Sequence, residues 1–411
     1  LLQSDPINTQ PGLGHSIQME AGRGSNQSAM RDYNERLVLS LIRQSGPMPK
    51  AEIARATGLS AQTVSVIMRA LEKEGLLTRR EPLRGKVGQP AVPMGLAQDG
   101  ALFLGLKVGR NGAELALCDF FGKIRHHRRV TYGYPTPEGI IAFTTKNVEE
   151  LMTELPDALR PRVAGLGIAL PFRLWDWEAD KSAETAKGLA HWRIRDIAAE
   201  LRQKLDMPAY LCNDASAACG AELVFGDQAM PSDYLYAYID HFVGGGLVLD
   251  HALHTGRSGN AAAIASLPVS TRAGQRCQLV DLASLATLER MLDAAGEDSG
   301  GIRPGADDWD VAAPVVDAWV DQAAHGLAQA VVASSCVFDF ETMVIDGAIP
   351  RRLRNVLIAR TQTELQAIKI PGIVLPTIRE GTIGYDAKVR GAASLPLSNR
   401  YLVDRATILG E

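Results

Sequence analysis

Lys50-Ala51-Glu52-Ile53-Ala54-Arg55-Ala56-Thr57-Gly58-Leu59-Ser60-Ala61-Gln62-Thr63-Val64-Ser65-Val66-Ile67-Met68-Arg69-Ala70-Leu71 is the most informative run in this 411-residue chain. Ile53 and Ala54 point inward from a short helix spanning Lys50 to about Thr57. Gly58 ends it, because glycine takes the left-handed conformation of a tight turn. Ser60 offers an N-cap hydroxyl to a third helix. There Val64, Ile67, Met68 and Leu71 fall at i, i+3, i+4 and i+7, one buried stripe, and Gly75 closes the helix. Ala61, Gln62, Ser65, Val66, Arg69 and Lys73 are left facing away from the core.

Upstream, a helical pattern begins near Met30, with Tyr33, Leu37 and Leu41 on one stripe and Val38 and Ile42 beside it. Ser45-Gly46-Pro47 stops it. Residues 1–28, rich in Ser, Gln, Asn and Gly without a period, are expected to form a flexible tail. Downstream, Leu76–Arg80 and Ala91–Leu96 predict two short strands around a basic loop containing Arg84, Lys86 and two glycines. Three helices and a wing in this order resemble the winged helix-turn-helix of bacterial repressors, which assigns residues 29–96 to a DNA-binding domain.

An α-helix fits the major groove, so the exposed N-terminal half of the third helix is where bases would be read. Gln62, Thr63 and Ser65 are the base-edge candidates. Lys50 and Ser60 lie near helix N-termini, where backbone N–H groups favour a phosphate, and Arg69 is placed for phosphate or base. Arg84 and Lys86 in the wing suit a minor groove. The competing reading is a three-helix protein-protein adaptor, which leaves the cationic wing and the Gln/Thr/Ser face unexplained.

Charge favours the first reading. Between Ala29 and Gly95 there are 11 Lys and Arg against 6 Asp and Glu, a balance of +5, while the rest of the chain carries 32 against 41, or −9. A basic head on an acidic body fits a nucleic-acid partner for the head alone. With 46% hydrophobic and 22% charged residues the composition is that of a folded globular protein, and the length calls for several cores. Five cysteines, Cys118, Cys212, Cys219, Cys277 and Cys336, are scattered without a CxxC pair, as in a reducing compartment. Apolar runs such as Val163–Leu170 fall far short of the roughly 20 residues that span a bilayer, and the first 28 residues hold no continuous apolar core. A cytoplasmic protein without membrane contact is expected.

From Ala101 the pattern changes. Short apolar runs at Leu102–Gly109, Ala113–Asp119, Val163–Leu170, Ala209–Cys212, Tyr234–Ile239, Gly246–Leu249 and Met343–Ile345 alternate with amphipathic stretches such as Ile140–Leu155 and Ile194–Leu205. That alternation predicts an α/β body over 97–411 with helices packed on mixed sheets. His126-His127-Arg128-Arg129 reads as a solvated basic edge.

Several segments of the body resemble the ROK family of sugar kinases and repressors, over about Met30 to Pro396. Gly105-Leu106-Lys107-Val108-Gly109 with Ala113–Gly122 is similar to the family's first phosphate hairpin, and Gly165–Pro171 to its Gly-rich strand ending in proline. Leu189-Ala190-His191-Trp192, Val243–Val248, Gly256–Ile264, Val344–Ala348 and Gly391-Ala392-Ala393 extend the match. Most specific is Leu211-Cys212-Asn213-Asp214-Ala215-Ser216-Ala217-Ala218, which resembles the signature that sets an amide and a carboxylate on a sugar hydroxyl. The resemblance implies a two-lobed actin/hexokinase-like body. It also implies that Asp214 stands where family kinases keep their general base.

The departures point away from catalysis. Lys107 stands where the kinases have an aspartate, and Asp240-His241-Phe242 where a Gly-Thr-Gly receives phosphate. Phosphoryl transfer depends on positioning and on neutralising phosphate charge, and a carboxylate and a bulky ring oppose both. Of the family's His and three Cys zinc set, only Cys277 remains, with Ser266 at the histidine position, and one thiol cannot hold a structural zinc. The sugar-contacting Glu-Ile-Gly-His reads Ala263-Ile264-Ala265-Ser266 here. Asn213, Asp214 and Asn260 are the remaining ligand-binding candidates, and a sugar or sugar derivative is the candidate effector.

The sequence therefore predicts a DNA-binding regulator, read as a repressor, that binds a palindromic operator as a homodimer or homotetramer. No catalytic residue, metal or cofactor is assigned. A sugar kinase retaining a DNA-binding head and a protein-protein adaptor are the alternatives.

Overall fold

The computed structural model describes residues 25–82, 92–172, 188–227 and 229–403. Most of the proposed tail and the wing residues Arg84 and Lys86 lie outside these residues.

The head consists of α1 (Ser25–Ser45), α2 (Lys50–Thr57) and α3 (Ala61–Lys73), followed by antiparallel β1 (Leu77–Arg79) and β2 (Met94–Leu96). Helix α1 begins earlier than the pattern from Met30 predicts, so the boundary placed at residue 28 falls inside a helix. Gly46 adopts a φ of 77° immediately after α1, and Pro47 cannot extend the helix. Gly58, at φ 68°, makes the turn between α2 and α3. Val64, Ile67, Met68 and Leu71 are all buried, as the i, i+3, i+4, i+7 spacing requires.

The body has two sheets of the same design. In the first, β3 (Leu102–Val108), β4 (Gly112–Cys118) and β5 (Ile124–Thr131) form an antiparallel meander, and β6 (Val163–Leu170) and β7 (Ala209–Asn213) add in parallel to β3, giving the order β5-β4-β3-β6-β7. Helices α4 (Pro137–Glu154) and α5 (Ile197–Leu205) make the crossovers. Helix α6 (Asp214–Phe225) leads to the second sheet. There β8 (Tyr234–Ile239), β9 (Gly244–Leu249) and β10 (Ala252–His254) form the meander. A small hairpin, β11 (Pro268–Ser270) with β12 (Arg276–Gln278), precedes α7 (Val280–Ala283), α8 (Leu285–Ala295) and α9 (Ala313–Ser335). Strands β13 (Thr342–Gly347) and β14 (Thr377–Glu380), joined through α10 (Arg351–Ala367), add in parallel to give β10-β9-β8-β13-β14. The last helix is α11 (Ala387–Tyr401).

Local chemistry explains the boundaries that differ from the apolar pattern. Helix α4 starts at Pro137 because Thr136 caps it, its hydroxyl accepting from Gly139 N at 3.1 Å. Helix α5 starts at Ile197 rather than Ile194, since Asp196 accepts from Ala199 N at 3.0 Å and leaves Ile194 in solvent. The stretch His126–Arg129 is a basic edge, half-buried to exposed on the outermost strand of the sheet, and ion pairs hold it in place. It is the middle of β5, where Arg128 meets Glu154 at 2.6 Å, and His127 and Arg129 meet the buried Glu114 at 2.9 and 3.2 Å. Glu114 draws in the Arg129 guanidinium and the His127 ring because a buried carboxylate needs compensation.

Helix α6 packs on both sheets, and α11 packs on α6 and on the first sheet. The approach of α11 explains two glycines of the family pattern. A Cβ at Gly167 would lie 1.7 Å from Ala392 O, and one at Gly391 would lie 1.8 Å from Ala217 O. Neither position accepts a side chain while α11 stays where it is.

The head is not a separate bead on this body. Val38, Ile42, Val64, Ile67 and Met68 belong to one continuous apolar core with Phe103, Phe120, Val389, Leu397 and Tyr401 of the body. Arg36 Nε donates to Leu402 O at 2.7 Å, Val403 N donates to Ser40 Oγ at 2.9 Å, and Arg162 of the body donates to Gly75 O of the head at 3.5 Å. Arg43 is half-buried in the same junction, donating to Phe120 O with its guanidinium 5.2 Å from the Phe120 ring centre. Burial brings its pKa down to about 10, with Asp119 acting in the opposite direction.

Candidate functional site

The first candidate site is the outer face of α3. Ser60 caps the helix by accepting from Thr63 N at 3.1 Å, and its hydroxyl lies 2.8 Å from Thr63 Oγ1. Gln62 and Arg69 are exposed, Thr63 and Ser65 are half-buried, and Lys50 is exposed at the start of α2. Arg69 Nε rests on Ser65 O at 3.1 Å, a weak intrahelical contact that a phosphate or base could replace. Ser60, Gln62, Thr63 and Ser65 therefore sit in the cap and first turns of α3, Arg69 lies a turn further along it, and Lys50 starts α2. Arg79, which the strand pattern places at the wing base, is held 2.7 Å from Glu72.

The second site lies between the lobes, where β7 runs into α6. Asn213 is the N-cap of α6, its Oδ1 accepting from Ala215 N at 3.0 Å and Ser216 N at 3.2 Å. That orientation turns the next residue, Asp214, to the mouth between the sheets. The residue is only 9% exposed, and its carboxylate lies 2.6 Å from the ammonium of Lys388. The same ammonium is 2.8 Å from Asp240, at the end of β8 in the other lobe, and 5.1 Å from the centre of the Tyr238 ring. One cation from α11 thus bridges a carboxylate of each lobe.

The electrostatics of this trio are mutually reinforcing. Burial pushes the Asp240 carboxyl up, but the ammonium groups of Lys388 and Lys107 outweigh it and hold the group down at about 2. Lys388 is driven down by burial and raised further by Asp214 and Asp240, ending above the ordinary lysine range. Lys107 reaches Glu114 at 2.9 Å, 4.9 Å from the Tyr385 ring centre, and Tyr385 OH donates to Glu114 at 2.7 Å. Burial raises the Glu114 carboxyl, yet His127, Lys107 and Tyr385 bring it well below its usual range. Arg110 and His241 meet across the lobes at 2.8 Å.

Asp214 and Asp240 are thus tied through Lys388 into an internal ion-pair network. Sequence reading singled out Asp214, Asp240 and Lys107 but not Lys388, whose lysine stands in a helix and carries no motif. Asn260 is exposed on the loop after β10. This loop touches the end of β6: a Cβ on Gly259 would lie 2.7 Å from the Phe172 ring. A zinc site does not fit the residues present. Cys277 sits in the β11–β12 hairpin opposite Val269, Ser266 is exposed, and among the described residues no three His, Cys, Asp or Glu side chains cluster as metal ligands.

Comparison with known proteins agrees with this architecture. The ROK family model matches residues 103–398, and a winged helix-turn-helix DNA-binding model matches 31–78. An uncharacterised protein, y4fQ, of Sinorhizobium fredii is 26% identical over 88% of this chain and 90% of its own length. The xylose repressor of Bacillus spizizenii is 24% identical over 62% of this chain and 64% of the repressor. Among solved structures, a ROK family transcriptional regulator described as a homologue of the E. coli MLC protein superposes with a TM-score of 0.66 at 19% identity, covering 93% of this chain and 100% of that one. A ROK family glucokinase from Streptomyces griseus superposes with a TM-score of 0.55 at 19% identity, covering 72% of this chain and 99% of the kinase. With its body matched over well more than half of the sequence and a winged head in front of it, this chain belongs to the ROK family.

Proposed function

We propose that this protein is a DNA-binding transcriptional repressor whose kinase-like body has become a sensing and oligomerisation domain. The observation that carries the reading is the Lys388 ammonium between Asp214 and Asp240, joined to a head whose helix α3 leaves Gln62, Arg69 and the capped end at Ser60 for DNA. A general base must be free to take a proton from its substrate hydroxyl, and Asp214 is held in an ion pair. A γ-phosphate entering beside Asp240 would meet a carboxylate where the reaction needs positive charge.

In this reading Gln62, Thr63 and Ser65 read bases, Lys50 and Ser60 contact phosphate, Arg69 contacts phosphate or base, and Arg84 and Lys86 of the wing reach the minor groove. The operator is palindromic with half-sites about one helical turn apart, read by a cytoplasmic homodimer or homotetramer. The effector is a sugar or sugar derivative approached by Asn213, Asp214 and Asn260, a reading supported by the xylose repressor among the relatives.

The test is selection of genomic DNA fragments by the purified protein near physiological salt, followed by footprinting of the best site with and without a panel of pentoses, hexoses and amino sugars. A short protected palindrome whose occupancy changes with one sugar establishes operator and effector. The kinase reading predicts ATP-dependent phosphorylation of a hexose or amino sugar that disappears in Asp214→Ala, and that result would overturn the regulator assignment for the body.

A further inference from the structure

We propose that Lys388 is an internal counter-ion that locks the interlobe site closed, and that helix α11 carries its release to the DNA-binding head. The inference rests on the regulator reading and specifies how the body would be coupled to DNA.

The two ends of α11 face the two places that regulation has to connect. Lys388, in its first turn, is only 8% exposed and bonds to Asp214 of α6 and Asp240 of β8. Its last residue, Tyr401, packs its ring 5.8 Å from Phe103 and 5.4 Å from Phe120, in the core shared with α1 and α3. Immediately beyond it, Leu402 O accepts from Arg36 and Val403 N donates to Ser40, both on α1. Between these ends the helix cannot bend freely toward the sheet, because its backbone already lies against Gly105 and Gly167 with no room for a Cβ. Pro396 removes one backbone hydrogen bond within the helix, but its ring packs against Gly165 and Gly167, so the sheet braces the helix at that point as well and a shift at one end is passed along its length.

The charges give the lock its direction. Removing the ammonium would leave two carboxylates of opposite lobes without their shared partner, so the lobes would no longer be drawn together at this point. A ligand acting here has to offer hydrogens to Asp214 in place of the ammonium. Hydroxyl and amine groups carry such hydrogens, whereas phosphate and carboxylate groups would add repulsion.

The experiment uses the full chain. Hydrogen–deuterium exchange and operator affinity are measured for the unmodified protein and for Lys388→Met, Lys388→Arg and Asp214→Asn. The expected result for Lys388→Met is about tenfold faster exchange both in 387–401 and in the α1 segment 36–45, with operator affinity changed by about tenfold. Lys388→Arg, which keeps the cation, is expected to return both toward the unmodified values. If Lys388→Met does not fold, Asp214→Asn, which leaves Lys388 on Asp240, is expected to show smaller changes of the same direction in both segments.

Faster exchange confined to the start of α11, or coupled exchange with operator affinity unchanged, would overturn the proposal. Should the unmodified protein select no operator, the regulator reading falls on its own. The exchange of α1 then still decides whether α11 links the two regions.

Discussion

At the scale of single residues, Lys388, Asp240 and Gln62 carry distinct consequences. Lys388→Ala leaves Asp214 and Asp240 buried without their cation, and is expected to destabilise the protein by roughly 3–5 kcal/mol in chemical denaturation. Lys388→Met combined with Asp214→Asn and Asp240→Asn, which removes the whole trio, should cost much less. Equal losses in both variants would mean that packing, not charge, holds α11. The Asp240 carboxyl gives a pH signature. Its folded pKa of about 2 is below the ordinary aspartate value near ~3.9, so its contribution is complete above that value and is lost as pH falls toward 2. Melting curves from pH 5 downward should therefore fall less steeply for Asp240→Asn, by an amount on the order of 2 kcal/mol. For DNA, Gln62→Ala is expected to relax base preference, while Arg84→Ala weakens binding to all sequences and flattens its salt dependence, as fluorescence anisotropy across a salt series would read. Two variants that bind like the parent would displace the reading surface from α3 and the wing.

At the scale of elements, the helix ends and the glycine contacts are the sensitive points. Ser60→Ala removes the cap of α3 and should cost about 1 kcal/mol, with a larger loss of DNA affinity if Ser60 also meets a phosphate. Gly167→Val places a side chain into the backbone of α11 and is expected to cost more than about 4 kcal/mol or to prevent folding. Gly133 is a fitting control, since a Cβ there meets nothing within 4 Å, and Gly133→Ala should stay within about 0.5 kcal/mol of the parent. A mild effect at Gly167 would show that α11 can shift off the sheet without penalty. Element by element, β6 and β8 coincide with apolar runs in the sequence because both faces of these central strands are buried. Strand β5 escaped that reading because an edge strand rich in His and Arg has no apolar run, and it is held by pairing with β4 and by ion pairs to Glu114.

At the scale of the whole molecule, the head and the first lobe share one core, so they should unfold together. Tyr401→Ala removes a ring from the cluster with Phe103 and Phe120 and is expected to cost roughly 3–5 kcal/mol. Hydrogen exchange should then rise in both α1 and β3. Loosening of β3 alone would show that the head keeps its own stability. No described helix is long and apolar enough to cross a membrane, in keeping with the short apolar runs of the sequence.

The sequence by itself determined what short-range signals can carry. The i, i+3, i+4, i+7 stripe of α3, the turn at Gly58, the cap at Ser60 and the Asn213-Asp214 pair are encoded within a few residues of one another, and they sufficed for a winged head on a ROK-type α/β body. Only the tertiary structure decided which partners surround Asp214 and Asp240. Lys388 meets Asp240 across 148 residues of chain, and Arg36 meets Leu402 across 366. No periodicity reports such pairings, because they exist only once two sheets and the helix between them have brought distant segments into contact. The identity of Asp214 was legible, but its partner was not, and it is the partner that sets what the carboxylate can do.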